Sequence, residues 1–210
     1  MKIKQMQKID FTKTHKDLYT ATQKIKEVVA DKATFLSIKG KGEPGGKQFQ
    51  EAVQKMFTLA YTAKFTFLFA GKINYGVSRL ECLWPEDPAK LPPSEWPWQL
   101  LIRIPSTVTE RDLKKVRKEI LEKKQLDTSA VERWTWKEGR CLQVMHVGPY
   151  NKVGDVYKQL AAHAESLGLE ATGGPGHEIY ISDPRRVAAE KLKTIVRVPV
   201  RVGIPNERKV

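Results

Sequence analysis

Leu101-Ile102-Arg103-Ile104-Pro105 returns almost unchanged later in the chain, as Ile195-Val196-Arg197-Val198-Pro199. Both stretches are runs of aliphatic residues that end at a proline, a composition typical of a β-strand and its end. An internal repeat of this kind indicates that one structural unit occurs twice. The distance between the two stretches leaves room for a complete unit in each half of the chain.

The residues before the two stretches follow one order of elements. Each half opens with an apolar strand ended by glycine, continues with an amphipathic helix, and closes with two strands joined by a turn that contains Asp-Pro. These elements are predicted at 35–40, 49–60, 79–84 and 98–105, and again at 141–148, 153–167, 177–182 and 194–199. The sequence therefore predicts an α+β fold of two β-α-β-β units, joined about a pseudo-two-fold axis in one antiparallel sheet.

A connecting helix separates the two predicted units. Thr109-Glu110-Arg111-Asp112 has the pattern of a capping box at the start of that helix. The lysine-rich beginning of the chain is predicted as a polar basic arm, and the rest as a single domain. The predicted boundaries are 1–33 for the arm and 34–210 for the domain, with repeat one at 34–105, the connecting helix and lead-in at 106–139, and repeat two at 140–202.

The strand at 177–182 suggests which side chains could form a site. Successive side chains of a strand point to opposite faces of the sheet, and the helices must cover one face. We expect Ile179 and Ile181 to face the helices, which leaves Glu178 and Tyr180 on the other face, in a groove. A solvated Glu178 remains an alternative, although a carboxylate among these apolar neighbours is costly unless it is paired or functional.

The two halves differ at the place of this carboxylate. Counted back from the proline of each turn, Trp84 is equivalent to Tyr180, and Cys82 is equivalent to Glu178. Two aromatic side chains across a concave groove suit an apolar or aromatic ligand, and one carboxylate adds charge recognition or base chemistry. The alternative interpretation is that the two aromatic side chains belong to the core.

Composition and spacing exclude several classes of protein. Lys and Arg number 37 against 24 Asp and Glu, but they are scattered and interleaved with acidic residues, which predicts a solvated basic surface and no specific nucleic-acid site. No apolar run is long enough to predict a membrane span. Cys82 and Cys141 lie far apart in apolar runs, which indicates buried free thiols and a cytoplasmic protein. The four histidines lack metal-ligand spacing, so no metal and no cofactor are predicted.

Three blocks of the sequence resemble the GyrI-like small-molecule-binding family. His146-Val147-Gly148-Pro149-Tyr150 resembles its H-x-G-x-Y turn, and the blocks at 80–84 and 177–185 resemble those of its stand-alone branch. The likeness runs from about residue 35 to residue 200. It implies duplicated SHS2-type units, with helices on one face of the sheet and on the other a groove that captures hydrophobic, often cationic, molecules.

The resemblance also implies a function. Some stand-alone members are hydrolases of cyclopropanoid DNA-alkylating toxins, which implies that Glu178 activates a water molecule and Tyr180 assists as a hydroxyl donor. The predicted ligand-binding residues are Trp84, Tyr75, Trp98, Cys82 and Tyr150. The alternative is a non-catalytic protein that sequesters or senses drugs, in which Glu178 neutralises a cation. We expect a hydrophobic aromatic or cationic small molecule as the partner, no membrane partner, and a monomer or weak dimer.

Overall fold

The computed structural model describes residues 6–85 and 90–203. Within these residues there are nine strands: β1 (Lys26–Ala30), β2 (Ala33–Lys41), β3 (Leu80–Trp84), β4 (Pro97–Ile104), β5 (Glu132–Trp136), β6 (Gly139–Val147), β7 (Leu169–Ala171), β8 (Gly176–Tyr180) and β9 (Lys193–Val202). They form one antiparallel sheet in the order β1-β6-β9-β8-β3-β4-β2-β5, and β7 pairs with β9. The predicted Asp-Pro turn at 87–88 lies outside the described residues.

The predicted helices are present, but the first of them extends past its predicted end at residue 60 to Phe69. The described residues contain α1 (Phe11–Thr14), α2 (Lys16–Tyr19), α3 (Lys47–Phe69), α4 (Glu110–Lys124) and α5 (Val153–Ser166). The predicted capping box opens α4, because Thr109 and Asp112 each accept a hydrogen bond from the backbone N–H of the other. Gly168 follows α5 with φ of 67°, the left-handed conformation that glycine tolerates. No helix in the described ranges is long and apolar enough to cross a membrane.

The two predicted units meet at the centre of the sheet, where β3 pairs with β8. The order β2-α3-β3-β4 is repeated as β6-α5-β8-β9, which confirms the α+β fold with duplicated units. In the β3–β8 register Cys82 lies directly opposite Glu178. These are the two residues that the repeat makes equivalent. A residue that pairs with its own equivalent marks the symmetry axis, so the pseudo-two-fold axis passes between Cys82 and Glu178.

Helices α3 and α5 cover the same face of the sheet. Cys82, Glu178 and Val196 lie opposite one another on three neighbouring strands, so their side chains share one face. Cys82 belongs to the core packed by α3, and Val196 belongs to the core packed by α5. Glu178 therefore lies on the helical face, between the two helix-covered cores.

The predicted assignment of faces is thus wrong for Glu178 and Tyr180, which point toward the helical side. Ile179 and Ile181 lie on the reverse face, where Ile179 is completely buried. Alternation along the strand was predicted correctly, but it does not tell which set of side chains the helices cover. Another part of the chain buries Ile179 and partly buries Ile181, so α3 and α5 do not need to cover them.

The N-terminal segment covers this reverse face. Phe11, Leu18 and Tyr19 from α1 and α2 pack into one cluster with Ile179 and Ile195. Strand β1 adds a further strand at the edge of the sheet by pairing with β6. The described part of the predicted polar arm, from residue 6 onward, is therefore folded against the sheet. Its few apolar residues are widely spaced among lysines, so the composition of the segment did not predict that they would be buried.

Gly40 in β2 shows how closely the α3-side core is packed. A Cβ atom at this position would overlap the indole ring of Trp98, whose ring packs edge-on against Phe49 of α3. We expect Gly40→Ala to lower the free energy of unfolding by about 1–3 kcal/mol, because the buried ring has to move. Denaturant unfolding measures this change. Gly154→Ala is the control, since nothing lies within 4 Å of its Cβ position, and equal losses in both variants would contradict the argument.

Candidate functional site

Glu178 is the centre of a buried polar cluster on the helical face. Glu178 is only 7% exposed. The hydroxyl of Tyr157, from α5, donates to Glu178 Oε1 at 3.4 Å, and the hydroxyl of Tyr180, from β8 itself, donates to Oε2 at 3.1 Å. Each carboxylate oxygen is therefore held by one phenol. The fourth member is Cys82, a buried free thiol opposite Glu178.

Aromatic rings surround this carboxylate. Tyr150, in the turn after β6, packs edge-to-face on Tyr180 with ring centroids 5.6 Å apart. On the side of α3, the Trp84 and Trp96 rings meet at 89° with centroids 6.3 Å apart. The indole nitrogen of Trp84 is buried and has no hydrogen-bond partner among the described residues. Flat apolar walls around a single charge favour an aromatic ligand that carries one polar or electrophilic group.

Burial changes the proton affinity of every titratable group in this cluster. Loss of water raises the pKa of Glu178 to about 7, against the opposing effects of Tyr180, Trp84, Tyr157 and the more distant charge of His177. The Trp84 indole lies close enough to lower this pKa, although its geometry falls outside an ordinary hydrogen bond. Burial and the charge of Glu178 also raise the pKa of the phenols and of the Cys82 thiol. At neutral pH the cluster therefore holds neutral phenols, a neutral thiol and a carboxyl group close to its titration midpoint.

Residues 23–201, which include the whole cluster, match the model of the GyrI-like small molecule binding domain. The chain belongs to the GyrI-like family. Domains of this family bind small molecules, and the aromatic site around Glu178 is consistent with that property. A search of curated protein sequences found no match to the chain.

Among solved structures, this GyrI-like chain is similar to two hydrolases from Listeria innocua. One is 35% identical with a TM-score of 0.84, and the match covers 92% of this chain and 100% of the hydrolase. The other is 34% identical with a TM-score of 0.86, and the match covers 93% and 100%. The C-terminal domain of EcmrR is 12% identical with a TM-score of 0.55 over 86% of this chain and 97% of that domain, a likeness in fold alone.

Tyr157 is the member of the cluster that the sequence did not predict as a site residue. It occupies the apolar stripe of α5 between Val156 and Leu160, so its spacing indicates core packing. Its ring lies against Gly176, where a Cβ atom would come within 2.7 Å of the Tyr157 hydroxyl. The glycine at the start of β8 therefore allows the phenol to reach Glu178. The signal available in the sequence was the hydroxyl of Tyr157, a polar group on the otherwise apolar face of a helix that packs over Glu178.

The structure brings five of the seven predicted site residues together and leaves two elsewhere in the core. Glu178, Tyr180, Cys82, Trp84 and Tyr150 form the cluster. The Trp98 ring points away from it, over Gly40 and against Phe49, and Tyr75 bridges to Ile9 in the segment before β3. Both belong to the packed core around α3 and lie apart from the Glu178 cluster. In the part of the chain that the structure describes, no group of His, Cys, Asp or Glu is arranged to hold a metal ion.

The hydrogen bond from Tyr157 should stabilise the ionised form of Glu178. We expect Tyr157→Phe to raise the pKa of Glu178 by about 0.5–1 unit, because the carboxylate loses a donor and gains none. Titration of the Glu178 side-chain carbon by NMR measures this pKa. Tyr61→Phe removes a phenol from the exposed face of α3 and serves as the control. A pKa that stays the same or falls in Tyr157→Phe would show that this phenol does not stabilise the carboxylate.

Proposed function

We propose that this GyrI-like protein hydrolyses cyclopropanoid DNA-alkylating toxins, with Glu178 as the general base. The observation that carries the proposal is a buried carboxylate held by two neutral phenols within a ring of aromatic side chains. A base is most effective when its pKa lies near the working pH, and burial places that of Glu178 at about 7. The similarity to two hydrolases over almost the whole chain supports a hydrolytic reaction.

In the proposed reaction, water adds across the strained ring of a cyclopropane conjugated to a dienone. Glu178 takes a proton from water while the water oxygen forms a bond to the unsubstituted ring carbon. The carbon–carbon bond of the ring breaks, and its electron pair moves through the dienone to the carbonyl oxygen, which becomes a phenol after taking up the proton. Release of ring strain and formation of an aromatic ring drive the step, so the protein has to supply only position and proton transfer.

The neighbours of Glu178 have separate roles in this proposal. Tyr157 and Tyr180 each hold one carboxylate oxygen, which fixes the direction from which water is deprotonated. Trp84 and Tyr150 lie on two sides of the site and would contact the flat body of the toxin. Burial raises the pKa of the Cys82 thiol, which keeps it protonated and weakly nucleophilic beside an electrophilic substrate.

Turnover in water labelled with ¹⁸O tests the proposal. The protein is mixed with a cyclopropanoid in about 100-fold molar excess, and the ring-opened product is followed by mass spectrometry. We expect many turnovers and one ¹⁸O atom bonded to the former ring carbon that water attacks. If the free compound falls by only one equivalent and no new alcohol forms, the protein does not hydrolyse the compound. The alternative function of sequestering or sensing a drug would then be favoured.

The rate of this reaction should depend on pH through Glu178. We expect kcat/KM to rise with pH and to reach half of its plateau near pH 7, because only ionised Glu178 accepts a proton and its pKa is raised to about 7. Initial rates from about pH 5 to pH 9, corrected for spontaneous acid-catalysed ring opening, give the profile. Enzymatic rates that fall as the pH rises would contradict the role of a carboxylate base.

A further inference from the structure

A second buried polar cluster lies on the reverse face of the sheet, directly behind the candidate site. It consists of Glu81, Glu138, His177 and Arg197, and we refer to it as the reverse-face cluster. His177 and Glu178 are neighbours on β8, so their side chains leave the same strand in opposite directions. Glu81 is likewise the neighbour of Cys82 on β3. The two clusters therefore meet back to back at the pseudo-two-fold axis.

His177 is held between two carboxylates. Its Nε2 lies 3.0 Å from Glu81 Oε2, and its Nδ1 lies 3.0 Å from Glu138 Oε2. With an acceptor at each nitrogen, the ring makes both hydrogen bonds only when both nitrogens carry a proton. The geometry thus selects the imidazolium, in agreement with a pKa of His177 that its carboxylate partners raise to about 9 against the opposing effect of burial.

The cluster pairs opposite charges and is almost completely buried. Arg197 Nη1 lies 2.9 Å from Glu138 Oε2, so two cations face two carboxylates. All four side chains are 4% exposed or less. The N-terminal segment completes the enclosure, because the Tyr19 hydroxyl donates to Glu81 at 2.8 Å and Arg197 donates to the Leu18 carbonyl. A fixed charge in such a buried environment acts over a longer range than one in bulk water.

We propose that His177 is a positioning residue for Glu178, which it acts on through the sheet. Anchored to β3 by Glu81 and to the β5–β6 turn by Glu138, it fixes the β8 backbone at the residue next to Glu178. Its positive charge behind the strand favours the ionised carboxylate in front of it. This inference rests on the proposed function, in which ionised Glu178 is the base.

The groups that face Glu178 on its own side cannot supply this charge. From β3 it meets the Cys82 thiol and the Trp84 indole, from α5 the phenol of Tyr157, and from β8 the phenol of Tyr180. All of these are neutral at neutral pH. Among the groups that affect the pKa of Glu178 in the described residues, the imidazolium of His177 is the positive one. Removal of this charge should therefore move the titration of Glu178 in a known direction.

His177→Gln tests the inference, because glutamine retains hydrogen-bonding ability without the charge. We expect the midpoint of the rise in kcat/KM with pH to move up by about 0.5–1 unit, with most of the rate recovered at high pH. The Glu178 side-chain carbon, titrated by NMR, should shift by the same amount. Glu27→Gln is the matched control, since it breaks the exposed pair between Glu27 and Arg140 and should leave both profiles unchanged. A uniform loss of rate at every pH, with an unmoved NMR midpoint, would reduce His177 to a purely structural role.

The wild-type protein supplies a second measurement that needs no substitution. Its His177 ring, followed by ¹⁵N NMR, should carry two protons at pH 7 and lose one near pH 9. A His177 that is neutral at pH 7 would overturn the inference even if His177→Gln does not fold. Both NMR titrations are independent of turnover. A protein that never hydrolyses a cyclopropanoid but shows the shifted Glu178 pKa would therefore overturn the proposed function and leave the effect of His177 on Glu178 standing.

Discussion

Glu178→Gln should remove nearly all turnover of a cyclopropanoid, with kcat lower by about 10²–10⁴-fold, the usual contribution of a positioned general base. Glutamine has the shape of glutamate, and its single amide oxygen still accepts a hydrogen bond from one of the two phenols, but it cannot take a proton from water. The aromatic walls are unchanged, so KM for a neutral substrate should change little. Steady-state kinetics at about pH 8, where the wild-type carboxylate is ionised, give both constants.

Stability provides an independent check on this variant. The pKa of Glu178 is raised in the folded protein from 4.5 to about 7, so the folded state binds the proton more tightly than the unfolded chain does. Stability from this group is complete below about pH 4.5 and is lost as the pH rises through 7, a cost of a few kcal/mol. The Gln variant avoids this cost and should be at least as stable as wild type at pH 8.

A matched substitution separates loss of the base from loss of a charge. Glu165→Gln makes the same change on the exposed face of α5 and should leave kcat and KM as they are. If Glu178→Gln turns over the substrate at the wild-type rate, Glu178 is not the base. If it loses affinity for cationic aromatic compounds while wild type shows no turnover, the carboxylate serves charge recognition in a binding protein.

The fold was predictable because it is encoded twice. The two related stretches at 101–105 and 195–199 reveal the repeat, and counting back from the proline of each turn separately equates Cys82 with Glu178. The structure pairs these two residues across β3 and β8. The sequence equivalence therefore marks the two residues between which the structure places the symmetry axis. Local signals such as the capping box at Thr109 added the ends of single elements.

The faces of the sheet were not predictable in the same way. Alternation along β8 separates Glu178 and Tyr180 from Ile179, but it does not say what covers each set. That choice depends on the N-terminal segment, whose α1 and α2 bury Ile179 on the reverse face. Tertiary contacts over such a long separation in sequence leave no periodic pattern in either segment. The lysines of the segment, which suggested a solvated arm, are compatible with its role because long basic side chains can reach water while the apolar residues between them are buried.

The direction in which an aromatic ring points could not be predicted from the sequence either. Trp84 and Trp98 both follow the strand pattern expected of groove residues, yet Trp84 lies near Glu178 and Trp98 lies over Gly40. The absence of a side chain at Gly40, on the neighbouring strand, decides the second case. A residue type therefore indicates which positions could contact a ligand, and the space left by a partner residue decides which of them do.

Arg197→Met should cause the largest loss of stability among the substitutions considered, about 3–5 kcal/mol, because it leaves Glu138 buried with an incomplete set of partners. Burial alone would raise the pKa of Glu138, but His177 and Arg197 hold it at about 2. This favourable interaction is present above about pH 4.5, the ordinary range of a glutamate, and is lost as the pH falls through 2. The difference between variant and wild type should therefore be greatest between about pH 5 and pH 8. Denaturant unfolding across this range measures it.

Arg201→Met, on the same strand, is the control for the loss of an arginine. Its pair with Glu170 is short, at 2.6 Å, but both side chains are well exposed, so its removal should cost about 0–1 kcal/mol. The contrast follows from burial: bulk water replaces Arg201 at the exposed Glu170, whereas the Glu138 side chain is only 2% exposed. Equal losses in the two variants would mean that the reverse-face cluster is hydrated in solution. The argument that a fixed charge behind β8 influences Glu178 would then lose its physical basis, because a hydrated imidazolium is screened from the carboxylate in front of it.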